Sequence, residues 1–199
     1  MEFTTHRTLQ VTAILLIAAA VTQAIYTGFY VAELTPPRRL LWGGEALLFS
    51  ILTAFAGAAL VQTKRLSVGF AAITAAAVLN VVQVAVGLTL FGPFREAAAA
   101  DANLAPVASA IVGFSFMVYN AAKLLLGLAA VIFGMARMQA GGKALGWATV
   151  AIGGVALVAN TIVMITGLGG FLPSPVAGGT GVVATLLLGV CLMSVSAED

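Results

Sequence analysis

The sequence predicts an all-α polytopic membrane protein of six transmembrane helices, organised as a single integral membrane domain over residues 1–199. Three observations lead there. Hydrophobic residues make up 61% of the chain and charged residues only 8%. A soluble domain carries roughly 25% charged residues, so polar side chains here are too few to cover a surface facing water. Mean hydropathy is +1.11. The apolar residues also fall into six runs, each close to the roughly 20 residues that cross a bilayer, separated by short breaks rich in Pro, Gly and charge.

The first run is placed at Thr8–Ala32, after His6 and Arg7 on a solvated segment. Its "LLIAAAVTQA" offers small residues of the kind found at a signal cleavage site, yet the apolar stretch continues through "IYTGFYVA", too long for a signal-peptide core. A retained helix is expected. "ELTPPRR" ends it, because consecutive prolines cannot continue a helix. Span two is placed at Leu41–Gln62 and closed by "QTKRLS"; span three runs Ser67–Phe91, up to Gly92–Pro93. The connection "GPFREAAAADANLAP" is the longest. Its alanines favour helix, so a short surface helix is expected there, with Pro106 starting span four at the position where proline is tolerated. Span four is Ala110–Ala136, "RMQAGGK" turns into span five at Leu145–Leu168, and the uncharged "GGFLPSPVAGG" leads into span six at Pro175–Ser194.

Six spans put both termini on one side. Arg7, Lys64, Arg65, Arg137 and Lys143 fall on that side, and Arg38, Arg39 and Arg95 on the other. Lys and Arg concentrate in cytoplasmic loops. The expected location is therefore a bacterial inner or plasma membrane, with cytoplasmic N and C termini and the lipid bilayer as principal partner.

Two stretches read alike. "NVVQVAVGLTLFGP" at Asn80–Pro93 and "NTIVMITGLGGFLP" at Asn160–Pro173 share Asn, Gly, Leu, Phe and Pro in register. Upstream, Leu47, Leu48, Phe55 and Ala58 align with Leu125, Leu126, Phe133 and Ala136. A parallel hairpin repeat is the expectation, spans two–three (41–93) matching spans four–five (119–173). The competing explanation is shared composition, since Ala, Leu, Val and Gly coincide often in such chains.

Charge inside an apolar span costs roughly 2.5–3.5 kcal/mol unless paired or hydrated, which singles out Glu45 in span two and Lys123 in span four. The repeat alignment sets them at equivalent positions. Carboxamides accompany them: Asn80 and Gln83 in span three, Asn120 in span four and Asn160 in span five. Gln23, Tyr26 and Tyr30 share a face of span one at i, i+3 and i+7. Glu45, Asn80, Gln83, Asn120, Lys123 and Asn160 are the expected ligand or ion pathway, with Gln23, Tyr26 and Tyr30 as its lining. The plainer alternative makes the carboxamides interhelical glue and the charges a Glu45–Lys123 lock between hairpins. Trp42, Phe91, Trp147 and Phe171 lie near span ends and are expected in an interfacial belt.

Much chemistry is poorly supported. One His, His6, leaves no histidine base within the spans and no ligand set for a metal. One Cys, Cys191, gives neither a disulfide nor a redox pair. The glycine pairs lack the strand–loop–helix context of a phosphate cradle. The pI near 9.0 reflects a net charge of only +2, with no basic groove for nucleic acid. No cofactor and no metal are expected, and the balance lies against an enzyme. The leading expectation is a small transporter-like protein, binding an unknown small polar or amphipathic solute in a helix-bundle cavity that a homodimer would complete. The alternatives are a non-catalytic subunit of a larger membrane complex and a membrane-embedded lipid-modifying enzyme.

Overall fold

The computed structural model describes residues 3–194, the side chains of Tyr30 and Ser174 excepted. Six α-helices follow one another: α1 Thr5–Val31, α2 Arg38–Gln62, α3 Ser67–Ala100, α4 Ala105–Gln139, α5 Lys143–Thr166 and α6 Ser174–Met193. All six contain a stretch long and apolar enough to cross a membrane. In hydrocarbon every backbone polar group must be satisfied within the chain, and hydroxyls follow the same logic. Thr12, Thr53, Thr74, Thr149 and Thr185 each donate to the carbonyl four residues earlier, at 2.7–2.9 Å. Large apolar side chains such as Ile14, Ile51, Val158 and Ile165 cover the outside, the arrangement expected where the solvent is lipid.

Sequence reading broke the third span at Phe91. The structure instead carries α3 through Gly92 and Pro93 to Ala100, and a single 3-10 turn at Ala102–Leu104 hands the chain to α4. No separate surface helix forms. A proline inside a helix removes one hydrogen bond and crowds the preceding turn, at a cost of about 3 kcal/mol. The five-residue run Glu96–Ala100 is four-fifths alanine and holds the helix on the far side of the break. At 1.5 Å per residue, the 34 residues of α3 span about 51 Å, whereas the 24 of α5 span about 36 Å. The α3–α4 hairpin therefore projects past its neighbours.

It projects at the end opposite the N terminus, called distal below; the α2–α3 and α4–α5 turns lie at the proximal end. The tight α4–α5 turn depends on Gly141, whose φ is +90°.

Neighbour relations define the architecture. Helices α1, α2, α3, α4 and α6 close a ring, each packing on the next and α6 returning to α1, while α5 packs only on α4 and α6 and lies outside that ring. Close approach of α4 and α5 comes from glycine: a Cβ on Gly127 would meet the Gly153 carbonyl at 2.9 Å, and one on Gly134 the Gly146 carbonyl at 2.9 Å. Removing side chains lets helix backbones touch, which is how helices associate in lipid. The two hairpins aligned by sequence thus hold different places, since α3 belongs to the ring and α5 does not.

The apolar core fills the proximal half of the ring. Leu16, Phe49, Leu52, Ile73, Leu126, Phe133 and Leu188 are fully or almost fully buried there. The distal half is not filled in the same way.

Candidate functional site

The distal half of the ring encloses a cavity of about 800 Å³. All five ring helices line it and α5 contributes nothing. From α1 come Gln23, Tyr26 and Thr27; from α2, Arg38, Trp42 and Glu45; from α3, Gln83, Phe91, Phe94 and Arg95. Ser115, Phe116 and Tyr119 of α4 and Gly178 and Gly179 of α6 contribute as well, with smaller residues of α3, α4 and α6 between them. The projecting α3–α4 hairpin is one wall, so the helical continuation past Pro93 gives the cavity its depth.

Six aromatic side chains contribute to the wall, Tyr26, Trp42, Phe91, Phe94, Phe116 and Tyr119. Trp42 meets Tyr26 at a centroid distance of 5.3 Å and Phe91 at 5.9 Å. Gly87 makes room for Trp42, since a Cβ there would fall onto the indole ring. Sequence reading put Trp42 and Phe91 in an interfacial belt; the structure corrects this. Trp42 is 8% exposed and faces inward, whereas Trp147 is 61% and Phe171 86% exposed. The signal lay in the spacing of Arg38, Trp42 and Glu45 at i, i+4 and i+7, one helix face.

Polar chemistry concentrates at the floor. Glu45 is 4% exposed, and the side chains of Thr22 and Gln23 flank its carboxyl. Lys123, on α4 one turn deeper than Tyr119, is completely buried. Its Nζ donates to Gln23 Oε1 at 2.5 Å and lies 5.2 Å from the centre of the Tyr119 ring. The lysine stem fits against Gly181 of α6, where a Cβ would meet lysine Cδ at 2.7 Å. The alternative of a Glu45–Lys123 lock is thus indirect: Gln23 adjoins both acid and base, its Oε1 taken by the lysine while its side chain flanks the Glu45 carboxyl. Among the described residues, no carboxylate lies within 4.0 Å of a Lys or Arg nitrogen.

The other carboxamides divide. Gln83 lines the cavity and is tied to α4, Ser115 Oγ donating to its backbone carbonyl at 3.3 Å. Asn80, Asn120 and Asn160 are buried but do not line it. Each turns its Nδ2 onto the carbonyl four residues earlier, Ala76, Phe116 and Ala156 respectively, at 2.7–2.8 Å, and each Oδ1 lacks a partner. Asn160 Nδ2 also reaches the Ala177 carbonyl of α6 at 3.2 Å. Of the nine residues expected from sequence, Gln23, Tyr26, Glu45 and Gln83 converge on the cavity and Lys123 lies directly beneath it. The three asparagines stand apart in the helix walls, and the side chain of Tyr30 lies outside the described residues.

Chemically, the arrangement is an apolar, aromatic chamber with a hydrogen-bonding floor and guanidinium groups toward its open end. Pockets of 300–1,000 Å³ with few convergent polar groups are typical of small-molecule binding. Among the described residues no group of three or more His, Cys, Asp or Glu is placed to hold a metal ion. Comparison with family models, curated proteins and solved structures returned no match for this chain.

Proposed function

We propose that this protein is a small transporter-like membrane protein that binds a small amphipathic solute in the distal cavity. The single observation that carries the reading is the chamber itself, about 800 Å³ of space between aromatic walls, floored by Glu45 and Gln23 over a buried Lys123. A volume of this size with few convergent polar groups is typical of small-molecule sites, whereas the interior of a merely structural bundle is close-packed. Glu45 and Gln23 are the solute's polar contacts, and Lys123 is a positioning residue that acts through Gln23. The core of the proximal half closes the cavity from below, and transport by alternating access would require that core to part. The basic residues at the proximal end support a cytoplasmic assignment for the termini, in a bacterial inner or plasma membrane, with the cavity facing outward. Two chains would form the working unit.

The test is a screen of polar and amphipathic solutes for thermal stabilisation of the purified protein, followed by uptake into proteoliposomes. A hit whose effect disappears in Glu45→Gln and Gln23→Leu supports the reading. Failure of every solute class, together with a stoichiometric partner recovered from native membranes, overturns it in favour of a complex subunit.

A further inference from the structure

The charge pattern of the cavity specifies the class of solute, an inference that rests on the solute-binding reading above. The distal connections and helix ends carry three basic residues, Arg38, Arg39 and Arg95, and three acidic ones, Glu33, Glu96 and Asp101. In number these cancel; in position they do not. Arg38 and Arg95 line the cavity and none of the three acids does; Glu33 shares only a neighbouring surface cleft with Arg38. Glu45 is the one carboxylate in the lining, and Lys123 lies beneath it.

Helix geometry brings the two arginines to one level. Trp42 and Phe91 touch across α2 and α3. Arg38 lies four residues before Trp42 on a helix running inward, and Arg95 four residues after Phe91 on a helix running outward. The backbone of each arginine is therefore about one turn beyond the same aromatic contact, and both residues line the cavity. Arg38 is held in place over the Trp42 ring, its Cζ 5.0 Å from the centroid, and its Nε is enclosed without a hydrogen-bond partner. No carboxylate of the described residues is within ion-pair distance of either arginine. From Arg38 to Glu45 is seven residues, a rise of about 10 Å.

We propose that the cavity selects an organic anion with a flat apolar body. Its carboxylate or phosphate is clamped between Arg38 and Arg95, whose planar donors match such groups bidentately. The body lies against Trp42 and Phe91, where rings stack favourably. A hydrogen-bond donor at the other end, roughly one α2 face away, meets the Glu45 carboxyl, and Gln23 closes the floor beside it. An organic cation of the same shape meets two guanidinium groups on the way in and is disfavoured.

The experiment measures binding to the purified full-length protein by calorimetry, using three probes of one shape: 6-hydroxy-2-naphthoate, its neutral carboxamide and the corresponding aminomethyl cation. Inorganic phosphate and a lysophospholipid with a phosphate monoester head are additional arms. The naphthoate is expected to bind about 10-fold or more tightly than the amide, the difference expected of one or two hydrogen bonds to a charged group, and the cation most weakly. Arg38→Gln and Arg95→Gln should each erode that preference, and together bring the anion to the level of the amide measured in the same double variant. Tighter binding of the lysophospholipid, with the same dependence on the arginines, supports the clamp and identifies a lipid as the source of the anion. Binding of inorganic phosphate alone, or amide and cation matching the naphthoate in the unmodified protein, overturns the anion proposal while leaving a solute cavity intact. If no probe binds and the solute screen also finds nothing, the solute-binding reading fails with it.

Discussion

Lys123 on α4 donates to Gln23 on α1 at 2.5 Å in the middle of the ring, although α1 and α4 are not packing neighbours. The bond crosses the space below the cavity, and Glu45 of α2 adjoins it. Three helices thus meet through polar side chains at one level, above an apolar core that makes no polar demands. A hydrogen bond to a charged group contributes about 1.5–3 kcal/mol, and leaving a buried partner unpaired costs a similar amount.

Lys123→Met, close in volume, is expected to destabilise the protein by about 2 kcal/mol, because it strands Gln23 Oε1 and removes the cation nearest to Glu45. Combining it with Glu45→Gln should cost clearly less than the sum of the two single changes, since residues in one network couple by about 0.5–3 kcal/mol. Reversible unfolding in mixed micelles, run as a double-mutant cycle, gives the coupling directly. Additive losses would mean that the acid and the base do not share a network.

Asn80 and Asn160 open two similar stretches of sequence and share the same local bond, yet their substitutions should differ. Asn80 has only its own helix as partner and an unsatisfied Oδ1. The Ala76 carbonyl keeps its backbone bond in the helix when the amide is removed, so Asn80→Leu strands no group and should shift stability by under about 1 kcal/mol. Asn160 also ties α5 to the Ala177 carbonyl of α6, and interhelical bonds in membranes contribute about 0.6–1.7 kcal/mol. Asn160→Leu should therefore be the more damaging of the two. The melting temperatures of both variants decide the matter, and the reverse order would contradict the hydrogen-bond assignment.

The membrane architecture was legible because it rests on composition and run length, quantities that need no tertiary information. Four of the five connections between helices follow from the same punctuation, those at Pro36–Pro37 and Gly141–Gly142 among them. Pro93 misled because a proline's local penalty is offset when the flanking residues are strong helix formers and pack into a hairpin. Glu45, Gln23 and Gln83 were legible as polar groups that lipid does not tolerate. Trp42, Arg38 and Arg95 were not, because an aromatic or a basic residue near a span end has an adequate explanation at the interface. Only the packing of α2 on α3 turns them inward. The asparagines carried the same polar signal as Gln83, but helix rotation, which sequence does not specify without a partner surface, directed them into the walls.

The glycine seam of α4 and α5 gives a sharp contrast between neighbouring positions. A methyl group on Gly146 would meet the Gly134 carbonyl at 2.8 Å, and one on Gly153 the Ala130 Cβ at 2.8 Å. One on Gly154 would meet nothing within 4 Å. Gly146→Ala and Gly153→Ala are expected to push the helices apart at a cost of about 1–3 kcal/mol each. Gly154→Ala should be neutral, or stabilising by up to about 1 kcal/mol through helix propensity. Equal effects at Gly153 and Gly154 in unfolding assays would show that backbone contact does not hold α5 to the ring.

The projecting hairpin and the sidedness of the chain can be tested together by thiol labelling. Cys191 is buried and donates weakly to the Phe133 carbonyl at 3.5 Å, so Cys191→Ala provides a thiol-free background with a small loss of packing. Ala99 is exposed near the end of α3, and Ala140 is exposed in the α4–α5 turn. At 1.5 Å per residue, the eight residues from Phe91 to Ala99 carry the chain about 12 Å beyond the point at which sequence alone ends the span. In intact cells, Ala99→Cys should react quickly with a membrane-impermeant maleimide, and Ala140→Cys only after the membrane is opened. Labelling of both from outside would contradict a single crossing by α4, and protection of Ala99→Cys with ready labelling of Ala140→Cys would reverse the orientation and turn the cavity toward the cytoplasm.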